Sequence, residues 1–441
     1  MLNNYKDKKV LILGLGLNEG GVGSARFFAD RGADVLVTDI KTEAELKPSL
    51  EKLKDFPNIK YYLGGHTNED IDWADIVIKN QAIKPNNPFL LYAKEKGKEV
   101  QTDIGIFSES VNPKNIIGVT GTKGKSTSAT LIYEVLKNAG KKALLLGNIG
   151  KSVLDYIDQI HEDSLVVLEI SSFQLESFDS LKVSPKYAVI TNIYPDHLNY
   201  YSSMDEYIAS KKLIAKYQTS EDFLFINEND KIINSPDFLK GIKSHVVFFS
   251  SKDLPKDFKP GLPGEHNLSN LAAALAVSKN LGIPEGLSLE TLESFKGIDF
   301  RLELIKDWNG VKIYNNTTAT APEPAIESLK TFPNCILIAG GMNKGLKYEE
   351  FAKAINLYAK SVYFLEGDAT TEIDCLLQDM KSAKATFDSY DNFEDLLLDV
   401  KAEAKEGDVI LFSPGATSFN LFQNEFDRGR KFNQAVEKVF T

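Results

Sequence analysis

Short apolar runs alternate with stretches of helical periodicity along almost the whole chain. That alternation is the pattern of α/β domains: a strand buried on both faces reads as a continuous apolar run, and each crossover helix shows one apolar face. In a first block, residues 10–13, 35–38 and 76–78 read as strands. In a second, residues 116–120, 144–146, 165–168 and 188–192 do, and an Ala-rich helix over about 267–281 closes the block. A third block places strands at 311–314, 336–339, 362–365 and 409–412. The expected fold class is therefore α/β with mainly parallel sheets, divided into residues 1–103, 104–297 and 298–441.

A chain of 441 residues is too long for one core and suits two or three domains, in keeping with this division. The net charge of −11 argues against a general nucleic-acid or membrane-surface binder, which would need a basic footprint, and leaves small molecules as the expected partners. Cys335 and Cys375 have no metal spacing and suit a reducing compartment. No signal peptide and no apolar run of membrane length is legible, so the expected location is the cytoplasm.

Two glycine-rich segments follow strands. After the first strand come Gly14, Gly16, Gly20, Gly21 and Gly23, then a helix. Glycines let a backbone approach a phosphate, and a helix N-terminus favours an anion. The spacing breaks the dinucleotide fingerprint at Glu19, while Asp39 ends the second strand, where Rossmann domains hold a ribose hydroxyl. A dehydrogenase cofactor, a nucleotide-sugar diphosphate and no ligand all remain open for this loop.

The second segment is sharper. The run Ile117-Gly118-Val119-Thr120 leads into Gly121, Thr122, Lys123, Gly124, Lys125, Ser126 and Thr127, and a helix is expected from about Lys125. Backbone N–H groups of such a loop cradle phosphates, Lys125 reaches the β/γ oxygens, and Ser126 suits Mg²⁺. A Mg²⁺–ATP site also needs a carboxylate at a neighbouring strand end, and Glu169, after Leu165-Val166-Val167-Leu168, is the candidate.

Seven segments now occur in one order along the chain: GTKGKST (121–127), GNIG (147–150), LEISSFQLE (168–176), NIYPDHL (192–198), GEHNLSN (264–270), GGMNKG (340–345) and SPGATSFNLF (413–422). Together they resemble the Mur ligase family across its whole length, and SSFQLE with the closing SPGATSF and FDRG resembles its MurD type. The resemblance implies three domains: a Rossmann-like N-terminal one for a uridine nucleotide, a P-loop-ATPase-like central one with a mostly parallel sheet, and a Rossmann-like C-terminal one for an amino acid. It implies an ATP-dependent ligase of peptidoglycan synthesis that joins D-glutamate to UDP-N-acetylmuramoyl-L-alanine through an acyl-phosphate, as a monomer.

By the same resemblance Gly14 and Gly16 face the UDP diphosphate, Asp39 lies near the uracil, and Asn148 contacts the muramoyl group. Ser126 and Glu169 hold one magnesium, and His197 and Lys211 serve a second, Lys211 as a carbamate formed with CO₂. Locally Lys211 and Lys212 read as ordinary helix-surface lysines. Asn267 and Asn270 match adenine-side residues, Arg301 the hinge arginine that reaches ATP, and Thr320, Lys344 and Ser418 the glutamate contacts.

The chain departs from the pattern in three places. Phe300 stands where a histidine precedes the arginine, and Asn316-Thr317-Thr318 stands for Asp-Ser-Lys. Asn80-Gln81-Ala82 replaces a Ser/Asn-Pro-Gly turn. These changes keep open a superfamily ligase for another amino acid, such as a folylpolyglutamate synthase, and a nucleotide-binding homologue without ligase activity.

Overall fold

The computed structural model describes residues 5–441 except 18, 149–151, 197–199, 263, 385–387 and 419–420. Three sheets carry the chain. In the first, β1 (Lys9–Leu13), β2 (Asp34–Asp39), β3 (Ile59–Leu63), β4 (Ile76–Lys79) and β5 (Glu99–Gln101) lie in the order β3-β2-β1-β4-β5, all parallel. The chain reverses its direction of travel between β1 and β4, so the crevice for ligands opens at their C-terminal ends. The Gly14 loop leaves from that point.

The second sheet holds β6 (Ile116–Thr120), β7 (Ala143–Gly147), β8 (Leu165–Glu169), β9 (Tyr187–Ile190), β10 (Phe223–Asn227) and β11 (His245–Phe249). Its order is β11-β10-β9-β6-β8-β7, again all parallel. The phosphate-loop strand β6 is therefore central, flanked by the strands that end at Glu169 and Ile190. In the third sheet β12 (Glu303–Trp308), β13 (Val311–Asn315), β14 (Cys335–Gly340), β15 (Ala359–Leu365) and β16 (Val409–Phe412) run β12-β13-β16-β14-β15, with only the β12 edge antiparallel.

The central strands are the ones their apolar runs announce: every residue of β6 and β14 is buried. β3 and β12 are edge strands whose polar, exposed positions interrupt the apolar pattern, while the edge strand β11 carries the apolar run VVFF and lies beyond the strands expected. β10, with its apolar FLFI run, is likewise a strand beyond those expected. β9 ends two residues short of the expected 188–192, because Thr191 and Asn192 turn toward the phosphate loop.

The chain forms two compact units, residues 1–260 with 266–294, and residues 261–265 with 295–441. Within the first unit, one apolar core runs from Phe27 and Phe28 through Phe107, Leu154 and Ile157 to Leu175 and Phe178. Phe107 lies on the helix Asp103–Ser110, whose buried face joins the two sheets. The seam is tight enough that a Cβ on Gly23 would meet the Ser152 hydroxyl at 2.1 Å. Arg26 pairs with Asp155 at 2.6 Å across it, but a partly solvated pair contributes little beside the apolar burial.

In the second unit each face of the sheet has its own core. Leu329, Phe351, Ile355 and Ile373 fill one side, and Leu396, Leu397, Phe432 and Val436 the other. Among the described residues no helix is long and apolar enough to cross a membrane.

If the seam between the first two sheets is one core, Phe107→Ala should destabilise the first unit by about 3–5 kcal/mol in a denaturant titration. A loss below about 1 kcal/mol would mean that the ring fills no constrained space.

Candidate active site

The phosphate loop forms where β6 gives way to the helix Lys125–Asn138, the start expected from the sequence. Two glycines make the turn possible. Gly121 has φ +148° and a Cβ there would fall 1.9 Å from the Thr191 hydroxyl. Gly124, at φ +80°, caps the helix, and its Cβ would fall 2.3 Å from Asn270 Oδ1. Asn270 in turn accepts from Ser128 at 3.1 Å and donates to Asn267 at 3.0 Å, so both asparagines back the N-terminal turn of this helix.

The segment after β9 braces the loop from the other side. Asn192 Oδ1 accepts from the Lys123 N–H at 2.8 Å, while its Nδ2 donates to the Lys123 carbonyl at 3.0 Å. Thr191 donates to the same carbonyl at 2.6 Å. The Thr122 hydroxyl accepts from the Tyr194 N–H at 3.0 Å and lies 3.1 Å from the Tyr207 hydroxyl. Lys123 itself extends outward, 3.9 Å from Asp196. Asn192, Thr191 and Tyr207 were not assigned from the sequence. The available signal was that the strand beside a phosphate-loop strand must end against the loop.

Two ammonium groups converge on one carbonyl. Lys125 Nζ donates to the oxygens of Gly121 and Thr122, each at 3.0 Å, and Lys211 Nζ donates to the Gly121 oxygen at 3.0 Å. Lys211 is 1% exposed, on the helix Met204–Lys212, with its ammonium 4.8 Å from the centre of the Tyr207 ring. Burial first, then the charge of Lys125, push its amine down to about 7, against a smaller pull from Asp196. Lys212 points elsewhere, to the Lys240 carbonyl. The surface reading of Lys211 is thus overturned by its packing.

Glu169 ends β8 beside β6, in register with Val119, and is 2% exposed. Its Oε1 accepts weakly from Asn148 Nδ2 at 3.4 Å, and its Oε2 is buried with no hydrogen-bond partner among the described residues. A buried, unsatisfied carboxylate oxygen is costly unless a cation or donor arrives. Gly147 allows the approach: at φ +102° its Cβ would sit 2.1 Å from the Glu169 carbonyl. Ser126, Glu169 and Lys211 therefore share one strand-end region, which suits a Mg²⁺–phosphate group. No group of three carboxylate, histidine or cysteine side chains converges among the described residues. His197 lies outside those residues.

At the N-terminal loop, Gly14 and Gly16 take φ +86° and +65°. Asp39 is buried and spends both oxygens on this backbone, accepting from Gly16 N–H at 2.8 Å and Lys41 N–H at 2.9 Å. The departing turn closes itself as well. Asn80 Oδ1 accepts from Ala82 N–H and its Nδ2 donates to the Gly14 carbonyl, while Gln81 donates to the buried Asp103 at 2.7 Å.

In the second unit, Thr320, Lys344 and Ser418 stand on the loops that follow β13, β14 and β16, at the C-terminal edge of the sheet. Lys344 is exposed, Thr320 half-buried and Ser418 buried. Arg301 is exposed beside a strained turn, with Phe300 and Leu302 at φ +66° and +48°. The departures form a neutral network. Asn316 Nδ2 donates to the Ser328 and Ser413 hydroxyls at 3.2 and 3.1 Å, and Thr318 donates to the Phe300 carbonyl at 2.8 Å.

In CO₂-depleted buffer the Lys211 amine should leave a signature in stability. From about pH 7 up to the unfolded value of 10.5, the unfolded chain holds a proton that the folded chain has released. Raising the pH therefore favours folding in that window, whereas near and below its lower end the burial penalty is present in full. Urea titrations should show a stability–pH slope over this range shallower by about 1.4 kcal/mol per pH unit in Lys211→Met. Equal slopes would place the amine in a water-like setting.

The description "Mur ligase MurD-like, N-terminal domain" matches residues 8–102, and "Mur ligase middle domain" matches residues 119–260. The chain is 38% identical to the UDP-N-acetylmuramoylalanine--D-glutamate ligase of Borreliella afzelii over 99% of both chains. It is 35% identical to the ligase of that name from Roseiflexus sp. over 98% of both. Among solved structures, the MurC ligase of Thermotoga maritima has a TM-score of 0.60 at 21% identity, over 98% of this chain and 99% of that one. MurF of the same organism, in complex with ADP, has a TM-score of 0.59 at 18% identity, over 99% and 97%. The fold likeness extends over the whole chain, and the identity is well above that of chance relatives: the chain belongs to the Mur ligase family, in its MurD branch.

Proposed function

We propose that this chain is an ATP-dependent ligase that adds D-glutamate to UDP-N-acetylmuramoylalanine in the synthesis of peptidoglycan precursors, in the compartment that holds ATP and nucleotide sugars. The observation that carries the reading is the meeting of Lys125 and Lys211 at the Gly121 oxygen, with the half-unpartnered Glu169 ending the adjoining strand, in a chain matched end to end by relatives of that name.

A carboxylate does not react with an amine until it carries a leaving group. The muramoyl-alanine carboxylate attacks the ATP γ-phosphorus, a C–O–P bond forms and the bond to the β-bridging oxygen breaks, releasing ADP. The D-glutamate amine, having lost its proton, then attacks the acyl carbon and expels phosphate. Both steps gather anions, so the first requirement is positive charge placed in advance. Lys125 supplies it at the γ-phosphate, and the loop N–H groups around Gly124 orient the β-phosphate. Glu169 and Ser126, with His197, are the side chains that would hold Mg²⁺, which supplies further charge neutralisation on the phosphates.

Lys211 is proposed to react with CO₂. An amine titrating near 7 is substantially neutral at cellular pH, as attack on CO₂ requires. The nitrogen bonds to the CO₂ carbon as one C=O π bond opens, a proton leaves to solvent, and the resulting carbamate anion attracts Lys125, which a protonated Lys211 would repel. Asn267, Asn270 and Arg301 are assigned to the nucleotide, and Gly14, Gly16, Asp39 and Asn148 to the UDP-sugar. Asp39 acts there by holding the Gly16 turn. Thr320, Lys344 and Ser418 are assigned to the incoming amino acid.

Phosphate release should require ATP, UDP-N-acetylmuramoyl-L-alanine and D-glutamate together, and a screen of amino acids should single out D-glutamate. Lys125→Ala should lower turnover on the order of 10³-fold while the protein stays folded. Release that ignores the amino acid, or near-normal turnover of the variant, would sink the reading.

A further inference from the structure

Arg428 is the largest fully buried side chain among the described residues, 0% exposed on the first turns of the helix Glu425–Val439. A buried guanidinium ordinarily faces a carboxylate. Among the described residues Arg428 has none within ion-pair distance; Glu425 acts on it only at longer range. Its side-chain hydrogen bonds among the described residues all go to neutral oxygens. Nε donates to the Thr317 hydroxyl at 3.0 Å, Nη2 to the Thr317 carbonyl at 2.9 Å, and Nη1 to the carbonyls of Ala416 and Thr417 at 3.1 and 3.2 Å. Arginine remains protonated in proteins, so a full positive charge is held here without an anion.

These acceptors are not scattered. Thr317 belongs to the loop after β13, and Ala416 and Thr417 to the loop after β16. Thr417 pairs with Met342 in both directions at 3.0 Å, which adds the loop after β14. Arg428 thus ties together the loops that carry Thr320, Lys344 and Ser418. Gly429 beside it lets the helix close on them, since a Cβ there would lie 2.6 Å from the Thr317 methyl.

An independent observation points the same way. The Ser418 hydroxyl, 2% exposed and one residue beyond the clamped Thr417, is buried with no hydrogen-bond partner among the described residues. A buried hydroxyl without a partner, beside a guanidinium that lies 5.8 Å from the Phe412 ring and faces no carboxylate, is ready to take an anion.

We propose that Arg428 is the positioning residue of the amino-acid carboxylate site: its charge biases the clamped loops toward an anion, and its hydrogen bonds hold Ser418 in place to donate to one carboxylate of the incoming dicarboxylic amino acid. This rests on the ligase reading above. Arg428 touches no substrate; it works through the backbone of residues 416–418.

The test uses the full-length enzyme, with Michaelis constants for D-glutamate, ATP and the UDP-substrate, and melting curves for each variant. Arg428→Gln keeps donors but loses the charge, and should raise the KM for D-glutamate about tenfold with the other two nearly unchanged; Arg428→Lys should recover most of the loss. Ser418→Ala, which leaves the clamp intact, should raise the same KM about tenfold and serves if Arg428→Gln fails to fold. Equal changes in all three constants, no recovery by lysine, or an unchanged KM in Ser418→Ala would overturn the proposal. Lys344→Ala separates the two levels of argument. If it raises the D-glutamate KM while the Arg428 and Ser418 variants do not, the inference fails and the ligase reading stands. If none of them moves that constant, the amino-acid assignment of this sheet edge fails with it.

Discussion

One carbonyl oxygen organises the centre of this enzyme. The Gly121 oxygen accepts from both the Lys125 and the Lys211 amino groups, so two groups whose positive charges repel meet at one dipole at the end of a buried strand. That arrangement is unfavourable for the protein alone. Burial weakens the hydration of Lys211, and the neighbouring charge of Lys125 opposes a second cation beside it. It becomes favourable when anions enter, which is the condition under which a phosphoryl group passes to a carboxylate.

Much of the first unit exists to hold that oxygen in place. The strand order puts β8 and β9 on either side of β6, so Glu169 and the Thr191–Asn192 pair arrive at the same level as the loop. Glycines stand where these elements come closest: Gly121 against Thr191, Gly124 against Asn270 and Gly147 against Glu169. An alanine at any of them would push apart a contact that sets the site. The second unit repeats the principle with different parts, a buried guanidinium in place of the lysine pair and neutral oxygens in place of the carbonyl.

The parts legible in sequence are those with a local cause. Continuous apolar runs gave the central strands, and a glycine-rich segment between a strand and a helix gave the phosphate loop. Lys211 had no local mark. It sits beside Lys212 on the same helix, and only tertiary packing makes one buried and the other a partner of the Lys240 carbonyl. Its place came from resemblance over the whole chain. Asp39 was read as a ligand-facing acid, yet its oxygens bind its own loop, a use that spacing alone does not separate from ligand binding. FDRG served only as part of the resemblance, and nothing local in it marks Arg428 as buried. The departures at Asn80, Asn316 and Thr318 leave the choice of amino acid open in sequence, and in the structure each side chain makes its own hydrogen bonds.

The central claim is that the paired lysines are a resting arrangement awaiting an anion on Lys211. Its most direct measurement is carbon NMR of the enzyme equilibrated with isotopically labelled bicarbonate. The account predicts a protein-bound carbamate resonance in the wild type that is absent from Lys211→Arg. A wild-type enzyme that turns over at full rate while showing no such resonance would contradict it.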